Sequence, residues 1–209
     1  MALFITFEGG EGCGKSTQAK ALWRKLIQLG ISAELTHEPG GTALGKELRH
    51  LLKRKRRDYL SPEAELLLFA ASRAQLIDEV IKPGLQKGKV VICDRFADST
   101  VTYQGYGRGI DLATIKAINE RATAGIKPHL TILLDMPADK GLSRKQAGHH
   151  DRFESEEIGF HQKVRNGYLE LAAQEPARWM VVDATLPRNQ LKALIWNKVN
   201  LLLQESRQL

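Results

Sequence analysis

Three observations predict an α/β fold, a five-stranded parallel sheet with helices on both faces. Five short runs, Ala2–Phe7, Ile31–Thr36, Lys89–Cys93, Leu130–Leu134 and Trp179–Val182, are strand length, and most are rich in Ile, Val or Thr. They are largely unbroken apolar runs, not alternating ones, as strands buried on both faces require. Longer amphipathic segments separate them, the rhythm of a parallel sheet joined by helical crossovers.

The elements follow in order. Lys15–Leu29 reads as the first helix and stops at Gly30, a residue suited to the left-handed position after a helix. Ser61-Pro62-Glu63 supplies an N-cap, a first-turn proline and a first-turn acid for a helix to about Ile81. Asp111 caps a helix through Ala124, and Ser155–Gln174 and Gln190–Gln204 complete the set. In such sheets ligands sit beyond the carboxyl ends of the strands. Attention therefore falls on residues 8–17, 37–42, 94–109, 135–151 and 183–187.

The 209 residues suit a single domain spanning 1–209, with no linker, repeat or low-complexity stretch. The net charge of +7, from 31 basic and 24 acidic residues, favours anionic partners. Apolar stretches reach only about six residues, as in Leu66–Ala71, against roughly 18 for a membrane span. The N-terminus lacks a basic region and a cleavage site, so no secretory signal is expected. Two cysteines, Cys13 and Cys93, make no disulfide framework or metal-ligand spacing. A soluble, reduced, cytoplasmic protein with no membrane partner is the expectation.

The sharpest motif is Gly9-Gly10-Glu11-Gly12-Cys13-Gly14-Lys15-Ser16-Thr17, which fits G-x-x-x-x-G-K-[ST] between a strand and a helix. Glycines let backbone N–H groups turn inward on phosphate oxygens, and the helix N-terminus adds partial positive charge. Lys15 would reach the β- and γ-phosphates of a nucleoside triphosphate, and Ser16 would hold Mg²⁺. Cys13, beside a helix N-terminus, stands where a thiolate is favoured. A guanine-reading N-K-x-D motif is not found: Asn197-Lys198-Val199-Asn200 lacks the aspartate and lies in an amphipathic helix. Asp94-Arg95 follows the third strand, placing a carboxylate for Mg²⁺ or its water and a guanidinium for a second phosphate.

These residues, with others in sequence order, resemble the thymidylate kinase family. The resemblance is carried by Phe7-Glu8-Gly9, Glu38-Pro39-Gly40-Gly41-Thr42, Ala70-Ala71-Ser72-Arg73-Ala74-Gln75-Leu76, Asp94-Arg95-Phe96 with Ser99-Thr100, Tyr103-Gln104-Gly105, Asp151-Arg152-Phe153-Glu154 and Asp183-Ala184-Thr185. It implies a P-loop nucleotide kinase with a short lid over about 140–155, transferring the γ-phosphoryl of ATP to dTMP with Mg²⁺, and a homodimer. Phe69 and Arg73, four apart on one helix face, would stack on thymine and donate to its O4. By the same resemblance Thr100 and Gln104 line the base edge, Ser99 and Arg95 the acceptor site, and Tyr103 the place of a 2′-hydroxyl. Glu11 is the loop acid near the sugar.

Some members of the family carry an arginine within the phosphate loop; here that position is Gly12. Arg144, Lys145 and Arg152 on a glycine-containing segment are the substitutes, with Gly141 and Gly148 as hinges. Arg152 is the first choice for the catalytic cation and Arg144 the second. His37 replaces an arginine before Glu38, which puts one anion contact in doubt. His149-His150 lacks the further ligands a metal site needs. The run Lys53-Arg54-Lys55-Arg56-Arg57 reads as a solvated helix end, with a nucleic-acid patch as the competing reading. Another nucleotide or nucleoside kinase is the alternative enzyme.

Overall fold

The first apolar run becomes the middle of the sheet. Strand β1 (Leu3–Glu8) lies between β3 (Val90–Asp94) and β4 (Leu130–Asp135), with β2 (Ala33–His37) beyond β3 and β5 (Trp179–Asp183) beyond β4. All four pairings are parallel. This computed structural model describes residues 2–54, 59–145 and 151–205. Lys55, Arg56 and Arg57 of the basic run, Gly148 of the expected lid, and His149 and His150 lie outside the described residues.

Side-chain alternation divides β1 between two cores. Leu3, Ile5 and Phe7 face α1 (Lys15–Gln28) and α9 (Arg188–Glu205), meeting Leu22, Leu26, Leu191 and Ile195. Phe4 faces the other way, onto Leu76, Ile77, Ile81 and Phe96. Both Phe4 and Phe7 are 0% exposed, as a central strand covered on two faces demands.

The remaining helices are α2 (Ala43–Lys53), α3 (Pro62–Leu76), α4 (Lys82–Gln86), α5 (Ala97–Thr100), α6 (Leu112–Thr123), α7 (Ala138–Ser143) and α8 (Ile158–Gln174). The expected caps form: Ser61 Oγ accepts from Ala64 N at 3.2 Å and Asp111 Oδ2 from Thr114 N at 2.8 Å. The helix expected to end at Ile81 instead passes through a π-helical stretch, Ile77–Ile81, into α4. Gly84 lets that extension lie on β3, because a Cβ there would come 2.9 Å from Val91 Cγ2. A second π-helical stretch, Val101–Gly107, continues α5. The last crossover helix starts at Ile158 rather than Ser155, since Asp151 Oδ1 folds 151–154 into a turn by accepting from Phe153 N and Glu154 N.

Each strand ends in a polar residue at the same edge: Glu8, His37, Asp94, Asp135 and Asp183. That edge is where the cleft opens.

Candidate active site

The loop after β1 needs its glycines. Gly9, Gly12 and Gly14 have φ of 136°, 67° and 94°, and a Cβ on Gly9 would come 2.5 Å from the Leu134 carbonyl oxygen. A Cβ on Gly12 would collide with the Gly141 carbonyl, and one on Gly141 with the Glu11 carbonyl. The loop therefore touches α7 backbone to backbone. Lys15 is folded onto the loop, its Nζ donating to Gly9 O at 3.0 Å and Gly10 O at 2.6 Å. Phosphate oxygens of a bound nucleotide would compete for those donors. Cys13 packs with the core at 2% exposure, its Sγ donating to Gly10 O at 3.1 Å, so the sulfur is less accessible than its place in the loop suggested.

A cavity of about 1060 Å³ opens over this loop. One end is walled by Gln18, Ala184, Thr185, Leu186 and Arg188; the other by Phe69, Arg73, Thr100, Tyr103, Gln104 and Phe153. Lys15, Ser16, Thr17, Asp94, Arg95 and Ser99 lie on its wall too, as do Glu11, Gly12, Cys13 and Gly14. Most residues named from sequence therefore share one continuous cleft, with the phosphate loop between its ends.

Ser16 Oγ donates to Asp94 Oδ2, so a hydroxyl and a carboxylate meet at the loop. These hard oxygen donors suit a small divalent cation that takes its other ligands from phosphate and water. No group of three or more His, Cys, Asp or Glu capable of holding a metal occurs among the described residues, so the protein alone offers no closed cage.

Arg95, at φ 70°, turns its side chain back across the cleft. Nη2 lies 2.6 Å from Glu11 Oε1, Nη1 donates to Gly9 O at 3.1 Å, and the guanidinium sits 4.9 Å from the Tyr103 ring centroid. Glu11 also accepts from Tyr103 OH at 2.8 Å and Lys145 Nζ at 3.1 Å. Burial would raise the Glu11 pKa, but Arg95, Lys15 and Lys145 outweigh it and hold the carboxyl well below the usual range. Three cations thus converge on one anionic side chain at the centre of the site.

Arg73 is 0% exposed and its fork is largely occupied. Nε donates to Glu38 Oε2 at 3.1 Å, Nη2 to Glu38 Oε1 and to Thr100 Oγ1 at 2.7 Å, and Nη1 to Asn119 Oδ1. Those four bonds leave one Nη1 hydrogen of the five for a ligand.

The two lid arginines part company. Arg144 lines the cavity and makes one long bond, Nη1 to Ala184 O at 3.3 Å. Arg152 is not on the cavity wall: Nε donates to Leu52 O at 3.0 Å, Nη2 lies 2.5 Å from Glu65 Oε2 without hydrogen-bond alignment, and the guanidinium covers the Phe153 ring at 4.5 Å. Arg152, the sequence's first choice for the catalytic cation, is thus paired with a buried carboxylate and off the cavity wall in this structure. Lys145 faces the cleft with Arg144.

His37 lines the cleft, and burial together with Arg49 lowers its pKa, so it is neutral at pH 7 and brings no cation. Arg49 of α2, unremarked in the sequence, lines the same wall with Nη1 on Pro39 O at 2.9 Å. Glu8 was legible only as part of a motif. It accepts from Phe96 N at 2.7 Å, Ser99 Oγ at 2.6 Å and Tyr168 OH at 2.8 Å, bracing the turn that carries Arg95. Burial and the nearby Asp98 push its pKa up to about 7. A carboxylate closing an apolar strand was the available signal. Lys53 of the basic run pairs with Asp151 at 2.6 Å, which spends that cation inside the protein.

The family model for thymidylate kinase matches residues 7–195. A thymidylate kinase of Dehalococcoides mccartyi strain CBDB1 is 56% identical over 203 residues, 97% of this chain and 98% of that protein. One from Syntrophotalea carbinolica is 49% identical over 203 residues, 94% of each. The crystal structure of thymidylate kinase from Ehrlichia chaffeensis superposes with a TM-score of 0.73 at 37% identity, covering 87% of this chain and 92% of that one. A glycine-rich phosphate loop opening on a cavity that Phe69, Arg73 and Gln104 also line agrees with near-complete alignment to these enzymes: the chain belongs to the thymidylate kinase family, phosphotransferases that act on dTMP with ATP as donor.

Proposed function

We infer that this chain transfers the γ-phosphoryl of ATP to dTMP, giving dTDP and ADP, by the division of one cleft into donor and acceptor halves. The observation that carries the reading is the single cavity joining the phosphate loop to Phe69, Arg73 and Gln104. ATP would lie over the loop with its base toward Ala184–Arg188, and dTMP would lie opposite, its ring on Phe69 and its phosphate toward Arg95.

No protein general base is needed, because a phosphate monoester with a second pKa near 6 is already largely anionic at neutral pH. The difficulty is electrostatic: two anions must meet and the transferring group must be neutralised. Of the cations on the cleft wall, we assign that work to Lys15, Arg95, Arg144 and Lys145. Ser16 and Asp94 would hold Mg²⁺, which supplies charge neutralisation at the phosphates when bound. Tyr103, tethered to Glu11, would close the space a 2′-hydroxyl needs and so favour deoxyribose.

A homodimer is proposed, supported by the exposed Leu67 on α3 and Leu112 on α6. No helix among the described residues is long and apolar enough to cross a membrane, and both cysteines are free; a cytoplasmic enzyme fits those facts. The test is a panel of dTMP, dCMP, dGMP and the ribonucleotide of thymine with ATP and Mg²⁺, read by coupled ADP formation. dTMP should be favoured over the other three; equal turnover of all four would refute the acceptor assignment.

A further inference from the structure

Glu65 lies in the first turn of α3, where an acid would ordinarily face water and the helix dipole. Instead its residue is 0% exposed. The carboxylate accepts from Gln104 Nε2 at 2.6 Å through Oε1, while Arg108 Nε and Nη2 stand at 3.3 Å from Oε1 and Oε2. Arg152 Nη2 is 2.5 Å from Oε2. Two guanidiniums thus balance a buried charge, and its remaining contact is the side-chain amide of a residue on the wall of the acceptor pocket.

That contact has a directional consequence. An ionised carboxylate only accepts, so the amide beside it must turn its NH₂ toward Glu65. Gln104 then has its carbonyl oxygen left over, and no donor from the described residues reaches it. Beside it on the same wall, Arg73 keeps one N–H after its bonds to Glu38, Thr100 and Asn119. The pocket offers a donor from Arg73 and an acceptor from Gln104. Thymine presents an acceptor at O4 and a donor at N3–H; cytosine presents an amine at C4 and a bare nitrogen at N3. The pair matches the first and opposes the second.

We propose that Glu65, which would not itself touch the substrate, is a positioning residue that sets base specificity by fixing the Gln104 amide so that only its oxygen faces the pyrimidine N3. The proposal rests on the dTMP reading above and deepens it. Replacing the carboxylate by an amide should release the constraint in a definite sense. In Glu65→Gln the two arginines claim the new carbonyl oxygen, its NH₂ turns to Gln104, and Gln104 must accept from it. The Gln104 NH₂ then faces the pocket, where it suits the cytosine nitrogen and clashes with N3–H.

The test compares kcat/KM for dTMP and dCMP in the full-length wild type and in Glu65→Gln. The ratio should fall by at least ~10-fold, because a site built around one hydrogen bond loses its penalty against the wrong base when the donor and acceptor exchange. An unchanged ratio in a variant that binds ATP and melts cooperatively overturns the proposal. Should the variant not fold, the wild type itself decides with a dTMP analogue bearing C–H in place of N3–H. Its kcat/KM should drop by ~10–100-fold, the cost of leaving a buried acceptor unpaired, and parity with dTMP overturns the proposal. If the wild type does not phosphorylate dTMP at all, it is the underlying reading that fails, and the two failures are told apart by that first measurement.

Discussion

Replacing Arg144 with alanine should reduce kcat far more than replacing Arg152, although the sequence motif pointed to the latter. The structure gives the reason in terms of what each guanidinium must leave behind to reach a phosphate. Arg144 gives up one 3.3 Å bond to the Ala184 carbonyl, worth about 1 kcal/mol. Arg152 would have to abandon a carboxylate that is 1% exposed, a backbone carbonyl and an aromatic face. Breaking such a pair costs about 3 kcal/mol even at the low end for buried ions, which would cancel much of what a transition-state cation supplies. Arginines delivered to transferring phosphoryl groups are worth ~10³–10⁵ in other P-loop enzymes. With Lys15 and Arg95 still in place, Arg144→Ala should lose ~10²–10³ in kcat, or about 2.7–4 kcal/mol at 1.36 kcal/mol per decade. Affinity for dTMP should stay within about threefold, because the contact is made mainly in the transition state. Arg152→Ala should instead lower the melting temperature and keep kcat within about tenfold of wild type. Steady-state kinetics, calorimetric dTMP binding and thermal melts on both variants provide the readings. An Arg144→Ala enzyme with a third or more of wild-type kcat would refute the reasoning.

Two further outcomes follow from the same geometry. Lys15→Met should leave circular dichroism and melting close to wild type while transfer falls by at least ~10³-fold, since the charge facing the β- and γ-phosphates is gone; retained turnover would remove Lys15 from the mechanism. Glu8, raised from 4.5 to about 7 by burial and Asp98, should make stability decline as pH rises between those values, because the unfolded carboxyl releases its proton first. Its share is about 3 kcal/mol, fully present below pH 4.5 and lost through pH 7. Urea titrations at pH 5 and pH 8 should show a smaller difference for Glu8→Gln than for wild type; equal differences would mean that Glu8 is already ionised in the folded state.

Much of the sheet was written in the sequence because a strand buried on two faces has no choice but apolar residues, and five such runs stood out. Their C-terminal ends came out about one residue early, since Glu8, Asp94, Asp135 and Asp183 continue the backbone pairing although their side chains are charged. The short α5 and α7 were invisible for lack of a full amphipathic period. The phosphate loop was legible because its function rests on backbone conformation that only glycine supplies. The pairing of Arg152 with Glu65 was not legible in the sequence. Arg152 read as a lid cation from its own segment, Glu65 carried no signal of its own, and only the packing of α3 beside the 151–154 turn brings the two together. Local sequence carries the chemistry of a side chain but not the identity of a counterion nearly ninety residues away.

The backbone contact between Gly12 and Gly141 also bears on how this chain could have evolved. A lineage that places its transition-state cation inside the phosphate loop needs a side chain at position 12. Here that position has φ of 67° and lies against the Gly141 carbonyl with no room for even a methyl group. Any mutation introducing an arginine there would prise the helix bearing Arg144 off the loop before the new guanidinium did anything useful. The two solutions are therefore separated by a steric valley: moving from one to the other requires position 12 and the Gly141 turn of α7 to change together. Gly141 would thus act as a latch that commits the lineage to a lid-borne cation.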